Sequence, residues 1–305
     1  MGQLDPFVAD PDWGHWIVWY FFLGGIAAGA YAVACLARLF GGDDDRRALR
    51  VADYLATPLV MLCGIFLVVD LGRPERFWHM LIQSETYRPM FKWWSPMSAG
   101  SWGLSAFGAF SGLSLAIALV EDGRLGFGRF QMLARRLTTG WLGRALALGG
   151  LISALFLGSY TGSLLTATNQ PIWAQSTWLS PLFLASAVST GISTIILICR
   201  FRRTNTPHDV IDRVERLDLL AIGLELAMLV AFAVSLGGLA YPALSRWPGN
   251  LIPLFVVPAG LVVPLGALRF RRKWLEAVTQ ALVLLAGFAL RYAIVHIPGL
   301  FRVRT

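Results

Sequence analysis

The chain has 305 residues, 56% of them hydrophobic and only 14% charged, with a mean hydropathy of +0.61. A water-soluble protein has roughly a quarter charged residues, so a soluble globular protein is excluded. The net charge of +8 would suit nucleic acid, but the placing of the basic residues between apolar runs accounts for it, and no nucleic-acid partner is expected.

Eight nearly charge-free runs, at about 15–40, 54–72, 96–120, 142–168, 178–200, 215–241, 249–270 and 275–297, are long enough to cross roughly 30 Å of hydrocarbon as helices. They are continuous and do not alternate, which predicts a helical bundle and not a barrel. The expected fold is an all-α integral membrane protein, one polytopic domain over 1–305, arranged as two four-helix groups. The start, MGQLDPFVADPDWGHW, is acidic and lacks a basic leader. A cleaved signal peptide is therefore not expected, and the first span should insert with its start outside. Of the 26 basic residues, 18 follow odd-numbered spans and eight fall on the opposite side. That bias puts both termini on the extracytoplasmic face.

In the first span, GGIAAGA places Gly25 and Gly29 at small-xxx-small spacing, which lets helix backbones approach closely. The second span ends in DLGRPERFWHML, where an acid and an arginine, Asp70 and Arg73, stand as the apolar run stops. A local ion pair is the plain structural reading. The segments 73–94 and 169–178 are rich in tryptophan (Trp78, Trp93, Trp94, Trp173 and Trp178), suited to an interfacial belt or to a docking surface. In WSPM (94–97) and LSPL (179–182) a serine precedes a proline, the pattern of a cap followed by the first helical position.

Hydroxyls crowd the outer half of the fourth span around Tyr160, and Ser186, Ser189, Thr190, Ser193 and Thr194 follow helical spacing along the fifth. Such side chains pack helices and also relay protons. Ionisable residues within spans are costly and are functional candidates. At about 1.5 Å per residue, Asp70, Tyr160 and Arg291 come to the outer third with His15 and His296, and Glu225, about 12 Å into the sixth span, falls nearer the middle.

Cys35, Cys63 and Cys199 stand alone within apolar runs, with no CxxC or CxxCH; neither an iron–sulfur cluster nor a covalently held haem is expected in this chain. His15, His79 and His296 fall near the outer face and His208 in a polar loop. A two-haem wire is thereby excluded, while one outer haem stays open.

Five stretches, WYFFLGGIAAGAY (19–31), DLGRPERFWHML (70–81), WSPMSAGSW (94–102), YTGSLLTATNQPIW (160–173) and SPLFLASAVSTG (180–191), resemble in sequence and order the membrane subunit of polysulfide reductase and its relatives, the NrfD-like integral membrane proteins. The resemblance is carried by the first two thirds of the chain; the last three spans match mainly in hydropathy. It implies a haem-free subunit of the bacterial or archaeal inner (cytoplasmic) membrane that is not a complete enzyme alone. Electrons would pass between a quinone (menaquinone or ubiquinone) and an extracytoplasmic iron–sulfur subunit, usually beside a molybdopterin catalytic subunit, with proton translocation as a further possibility. The family's quinone contacts, at the start of the first span and in the fourth, match His15 and Tyr160, and Asp70 with Arg73 completes the expected quinone site. Asp70, Glu225, Arg291 and Ser193 form the candidate proton path; no metal site is expected. The competing classes are a secondary transporter or proton channel using Glu225 and the hydroxyl stripes, and a b-haem anchor.

Overall fold

The computed structural model describes residues 13–124, 128–201, 208–267 and 273–301. Eight helices carry the chain back and forth: α1 His15–Phe40, α2 Val51–Asp70, α3 Pro96–Glu121, α4 Gly140–Thr166, α5 Leu179–Phe201, α6 His208–Ser235, α7 in two parts, Ile252–Val262 and Val263–Ala267, and α8 Lys273–His296. Seven of them are long and apolar enough to span a membrane, and α7 is a shorter apolar helix. The chain is an all-α, multi-pass membrane protein, as its hydropathy requires: in hydrocarbon each backbone N–H and C=O must be met within the segment.

Two boundaries differ from expectation for physical reasons. Helix α6 begins at His208, two turns before its apolar run, because the charged stretch HDVIDRVER continues the helix beyond the hydrocarbon. At α5 the helix already starts at Leu179, so Ser180 is no cap; its hydroxyl meets that of Ser163 on α4 at 2.9 Å. Ser95 does cap α3, accepting from the Ser98 N–H, with Pro96 in the first turn. Helix α7 carries Pro253, Pro258 and Pro264 within fifteen residues. Each proline lacks an N–H and obstructs the ordinary ladder, and the first part widens to π geometry, with the Val263 N–H reaching back to the Pro258 carbonyl.

Helices α1–α4 close one ring of four and α5–α8 a second, with α1 lying along α5 and touching α8, and α4 also against α5. Helix α1 is the axis of the whole: 83% of its apolar window is buried, against about a third for α2, α3, α4 and α6. Its approach to α5 is set by glycine. A Cβ on Gly29 would stand 1.8 Å from the Ala187 carbonyl oxygen, and one on Gly191 2.2 Å from the Ala30 nitrogen.

The two ends of the bundle differ. His15, Asp70, Pro96 and His296 mark one, the His15 end. At the other, the Arg38 end, ion pairs staple the helices: Arg38 with Asp53, Arg50 with Glu121 at 2.6 Å and with Asp122, Arg213 with Asp45 at 2.7 Å, and Arg200 with Glu215 and Glu276. Burial pushes the Asp122 carboxyl up, but the Tyr54 hydroxyl and Arg50 outweigh it and hold the group below the ordinary carboxylate range.

Gly191→Val should force α1 and α5 apart and cost about 1–3 kcal/mol, read as a lower midpoint of thermal unfolding in detergent. Gly108→Ala, where an added Cβ meets nothing within 4 Å, should leave the midpoint unchanged or raise it. Equal responses would show that the α1–α5 contact does not limit stability.

Candidate functional site

Arg291 on α8 is fully buried, which is costly for a guanidinium in hydrocarbon unless its N–H groups are met. They are. Nε donates to the Phe21 carbonyl of α1 at 3.1 Å; Nη1 donates to the Ser186 hydroxyl of α5 at 3.0 Å and to the Gly287 carbonyl at 2.8 Å. The guanidinium lies over the Phe183 ring, 5.5 Å from its centre. Gly25 makes room for it, since a Cβ there would stand 2.6 Å from Nη2. Of the two glycines at small-xxx-small spacing in GGIAAGA, then, Gly29 serves helix packing and Gly25 the arginine.

Ser186 also lies within hydrogen-bonding reach of Glu225 on α6, buried to 4% exposure. The charges of Glu225 and Arg291 also lie close enough to interact. Arg291 and Glu225 therefore share one level, which corrects the depth expected for Glu225. Because α6 starts at His208, Glu225 lies about 25 Å along the helix, towards its His15 end.

Towards the Arg38 end the same three helices carry a second buried polar group. Asp218 of α6, two turns from Glu225, is 4% exposed; the Ser189 hydroxyl donates to it at 3.3 Å, and Gln280 of α8 lies close by. Ser193 and Gln280 Oε1 are buried with no hydrogen-bond partner among the described residues. Beyond them Arg200 meets Glu215 and Glu276. The result is a ladder of polar side chains along the α5–α6–α8 interface. Asp218, Gln280 and the Arg38–Asp53 pair, whose carboxylate is buried, were not singled out from sequence. Both acids stand among charged neighbours at span edges, where hydropathy reads them as flanks.

At the His15 end two of the expected quinone residues, His15 and Asp70, meet at the start of α1. His15 is exposed and faces His296, with ring centres 6.1 Å apart; His296 stacks on Tyr292 and its Nδ1 meets the Tyr292 carbonyl at 2.9 Å. Asp70 Oδ1 lies beside the helix start, 3.7 Å from where a Gly14 Cβ would be. A carboxylate there complements the positive end of the α1 dipole, which gives the acid at the end of α2 its place. Tyr160, on α4, stands apart from them against α3. Its hydroxyl donates to the Pro96 carbonyl at 2.7 Å, its ring stacks on Phe156, and Gly100 leaves it space. His15 and Tyr160 thus have separate contacts, with α8 and α3 respectively. Arg73 is exposed and lines a cleft of about 410 Å³ with Leu71, Arg76, His79, Lys92 and Ser98, beside the turn that holds Tyr160.

The tryptophans expected to dock a partner divide. Trp93 and Trp94 are 76% and 66% exposed, and Trp178 is 41% exposed, but Trp173 is fully buried. It stacks on Trp13 and donates its indole N–H to the Ile294 carbonyl at 2.7 Å, so it is a core residue and presents nothing to a partner.

Gly25→Ala should displace the guanidinium and cost about 1–3 kcal/mol, as should loss of the charge in Arg291→Gln. In a double-mutant cycle by thermal unfolding, contact between them should appear as a coupling above about 0.5 kcal/mol; additive costs would contradict it.

A family model described as "Polysulphide reductase, NrfD" matches residues 8–303. "Protein NrfD" of Escherichia coli (strain K12) is 30% identical over 235 residues, 73% of this chain and 71% of that protein. The C chain of polysulfide reductase from Wolinella succinogenes is 30% identical over 304 residues, 92% of this chain and 93% of its own length. The C subunit of tetrathionate reductase from Salmonella typhimurium is 27% identical over 226 residues, 73% of this chain and 59% of that protein. The match continues through the last three helices, where the sequence motifs were weak, and the chain belongs to the NrfD polysulphide reductase family.

Proposed function

We propose that this chain is the quinone-reactive membrane subunit of a multi-subunit reductase, working at its His15 end. The observation that carries the reading is the gathering of His15, His296 and Asp70 around the first turn of α1, in a family whose members include named subunits of polysulfide and tetrathionate reductases. A bound quinone supplies a two-electron, two-proton couple. The residues suit such a ring: Leu71, Met80, Met90 and Met97 give the neighbouring cleft apolar walls and Arg73 and Lys92 a polar rim. Tyr160 keeps its oxygen lone pairs available while it donates to Pro96, and a small rotation turns its O–H towards a carbonyl. His15 offers a second donor, and Asp70 exchanges protons with water at the membrane edge.

Electrons come from outside the chain. On this reading an iron–sulfur subunit docks over the exposed segment 71–95, which folds through Pro74–Met80 and an Ile82–Pro89 bridge and presents Tyr87, Phe91, Trp93 and Trp94, and a molybdopterin subunit makes the enzyme whole. The basic residues clustered at the Arg38 end support placing that end in the cytoplasm and the His15 end outside, in the inner membrane of a bacterium or archaeon. The ladder from Glu215 and Glu276 through Ser193, Asp218 and Gln280 to Glu225, Ser186 and Arg291 supplies a proton route from the Arg38 end, with Asp70 as its outer terminus.

In the assembled complex, Tyr160→Phe and His15→Ala should each lower quinol-coupled turnover at least about tenfold, with no haem band in the purified subunit's absorption spectrum. Unchanged turnover and quinone affinity in both variants would remove the site from this end, and a haem band would favour the b-haem anchor. In vesicles, Glu225→Gln and Asp218→Asn should reduce proton uptake per turnover more than turnover itself. If the wild type builds a membrane potential and both variants preserve it, the ladder is structural; a potential without any redox partner would favour the transporter class.

A further inference from the structure

At the Arg38 end a cavity of about 860 Å³ opens between the end of α1, the short helix Asp43–Ala48, the end of α3, the helix Gly128–Thr138 and the start of α4. Six arginines line it against three carboxylates. Three of the six are committed: Arg38 to Asp53, Arg50 to Glu121 and Asp122, and Arg46 to Asp43 at 3.6 Å and to the Arg38 carbonyl at 3.1 Å. Arg47, Arg135 and Arg144 have no ion pair or side-chain hydrogen bond among the described residues, yet they come from three different elements and face one space. Three exposed guanidiniums lining one cavity give it a positive field that favours an anion, and their forked donors match phosphate oxygens.

The level of the cavity selects the kind of anion. Trp141, in the first turn of α4, is 78% exposed, and Met132 and Leu133 on the helix Gly128–Thr138 are 63% and 51% exposed, while Arg135 of that helix faces the cavity. A short helix that bares apolar side chains beside arginines, whose long stems let their charged heads reach headgroups, lies in the membrane interface, and a bare tryptophan beside it marks the same depth. The inner wall is apolar, with Ile117, Ala118, Leu146 and Ala147 behind the arginines. We infer that this cavity holds the headgroup phosphate of an anionic glycerophospholipid, clasped by Arg47, Arg135 and Arg144, with the glycerol and upper acyl carbons against the apolar wall. Basic pockets between membrane helices are suited to such headgroups. The site is at the opposite end from the proposed quinone chemistry and does not depend on it.

The test is native mass spectrometry of the full chain, delipidated in detergent and then offered phosphatidylglycerol, phosphatidylcholine or inorganic phosphate. The wild type should retain one phosphatidylglycerol with about tenfold preference over phosphatidylcholine, and R47Q/R135Q/R144Q should lose that preference while millimolar phosphate does not displace the lipid. Equal retention of the two lipids, full retention by the triple variant, or displacement by free phosphate would overturn the assignment. A photoreactive phosphatidylglycerol added to membranes containing the wild type needs no variant to fold. It should label peptides within 128–147, and labelling confined to other segments would equally overturn it.

Discussion

An arginine withdrawn from water costs several kcal/mol unless its charge and its N–H groups are met on the spot. Around Arg291 they are met from two further helices, by the Phe21 carbonyl of α1 and the Ser186 hydroxyl of α5, and the carboxyl of Glu225 on a third, α6, lies close enough for the two charges to interact. Each partner fixes the rotation of its helix about its own axis, because a helix turned by one residue would carry its partner atom about 100° away. Hydrophobic packing among helices surrounded by lipid is a weak guide to rotation, since the tails are as apolar as the side chains. The polar contacts are what select one arrangement of α1, α5, α6 and α8.

The same constraint explains the small residues of α1. Gly25 must be bare to admit the guanidinium, and Gly29, one turn on, must be bare so that α1 lies close enough to α5 for Phe21 and Ser186 to share it. Helix α1 also carries His15 at its start and Arg38, paired with Asp53, near its end. One buried helix thus sets the geometry at both ends of the bundle and holds the two four-helix rings together. A shift of α1 along its axis would be felt at the candidate redox end and at the basic cavity alike.

The spans were legible because hydrocarbon demands long unbroken apolar runs; even the proline-broken α7 lies within the run expected for it. The family was legible in the stretches around Asp70 and Tyr160, and the family match carries it to the last helix. Cross-helix partnership was not. Arg291 and Glu225 stood out as charges in apolar runs, but nothing in either run shows that Ser186 joins them, because hydropathy records depth and not facing. Depth itself failed for Glu225, because a count from the edge of its own apolar run does not show which residue of a neighbouring helix stands at its level. Trp173 failed for a related reason: a tryptophan in a short loop reads as interfacial until the loop folds inward and its N–H finds a carbonyl.

Redox chemistry confined to one end of a bundle moves no charge across it, so on the proposed reading everything depends on the interval between Asp218 and Glu225. These carboxyls are seven residues apart on α6, about 10 Å along the axis, too far for direct transfer. The hydroxyls beside that interval are engaged: Ser189 donates to Asp218, and Thr190 donates to the Ser186 carbonyl at 2.7 Å. An engaged hydroxyl passes a proton only after it turns. Arg291 adds a fixed positive charge at the far side, which raises the barrier to an excess proton, as a single arginine can do in a selective pore. Transfer through the gap therefore requires Glu225 to carry negative charge towards Arg291 as the proton arrives. On the proposed reading, a route built this way would resist leakage at rest and would conduct only once the outer end had drawn a proton from Glu225.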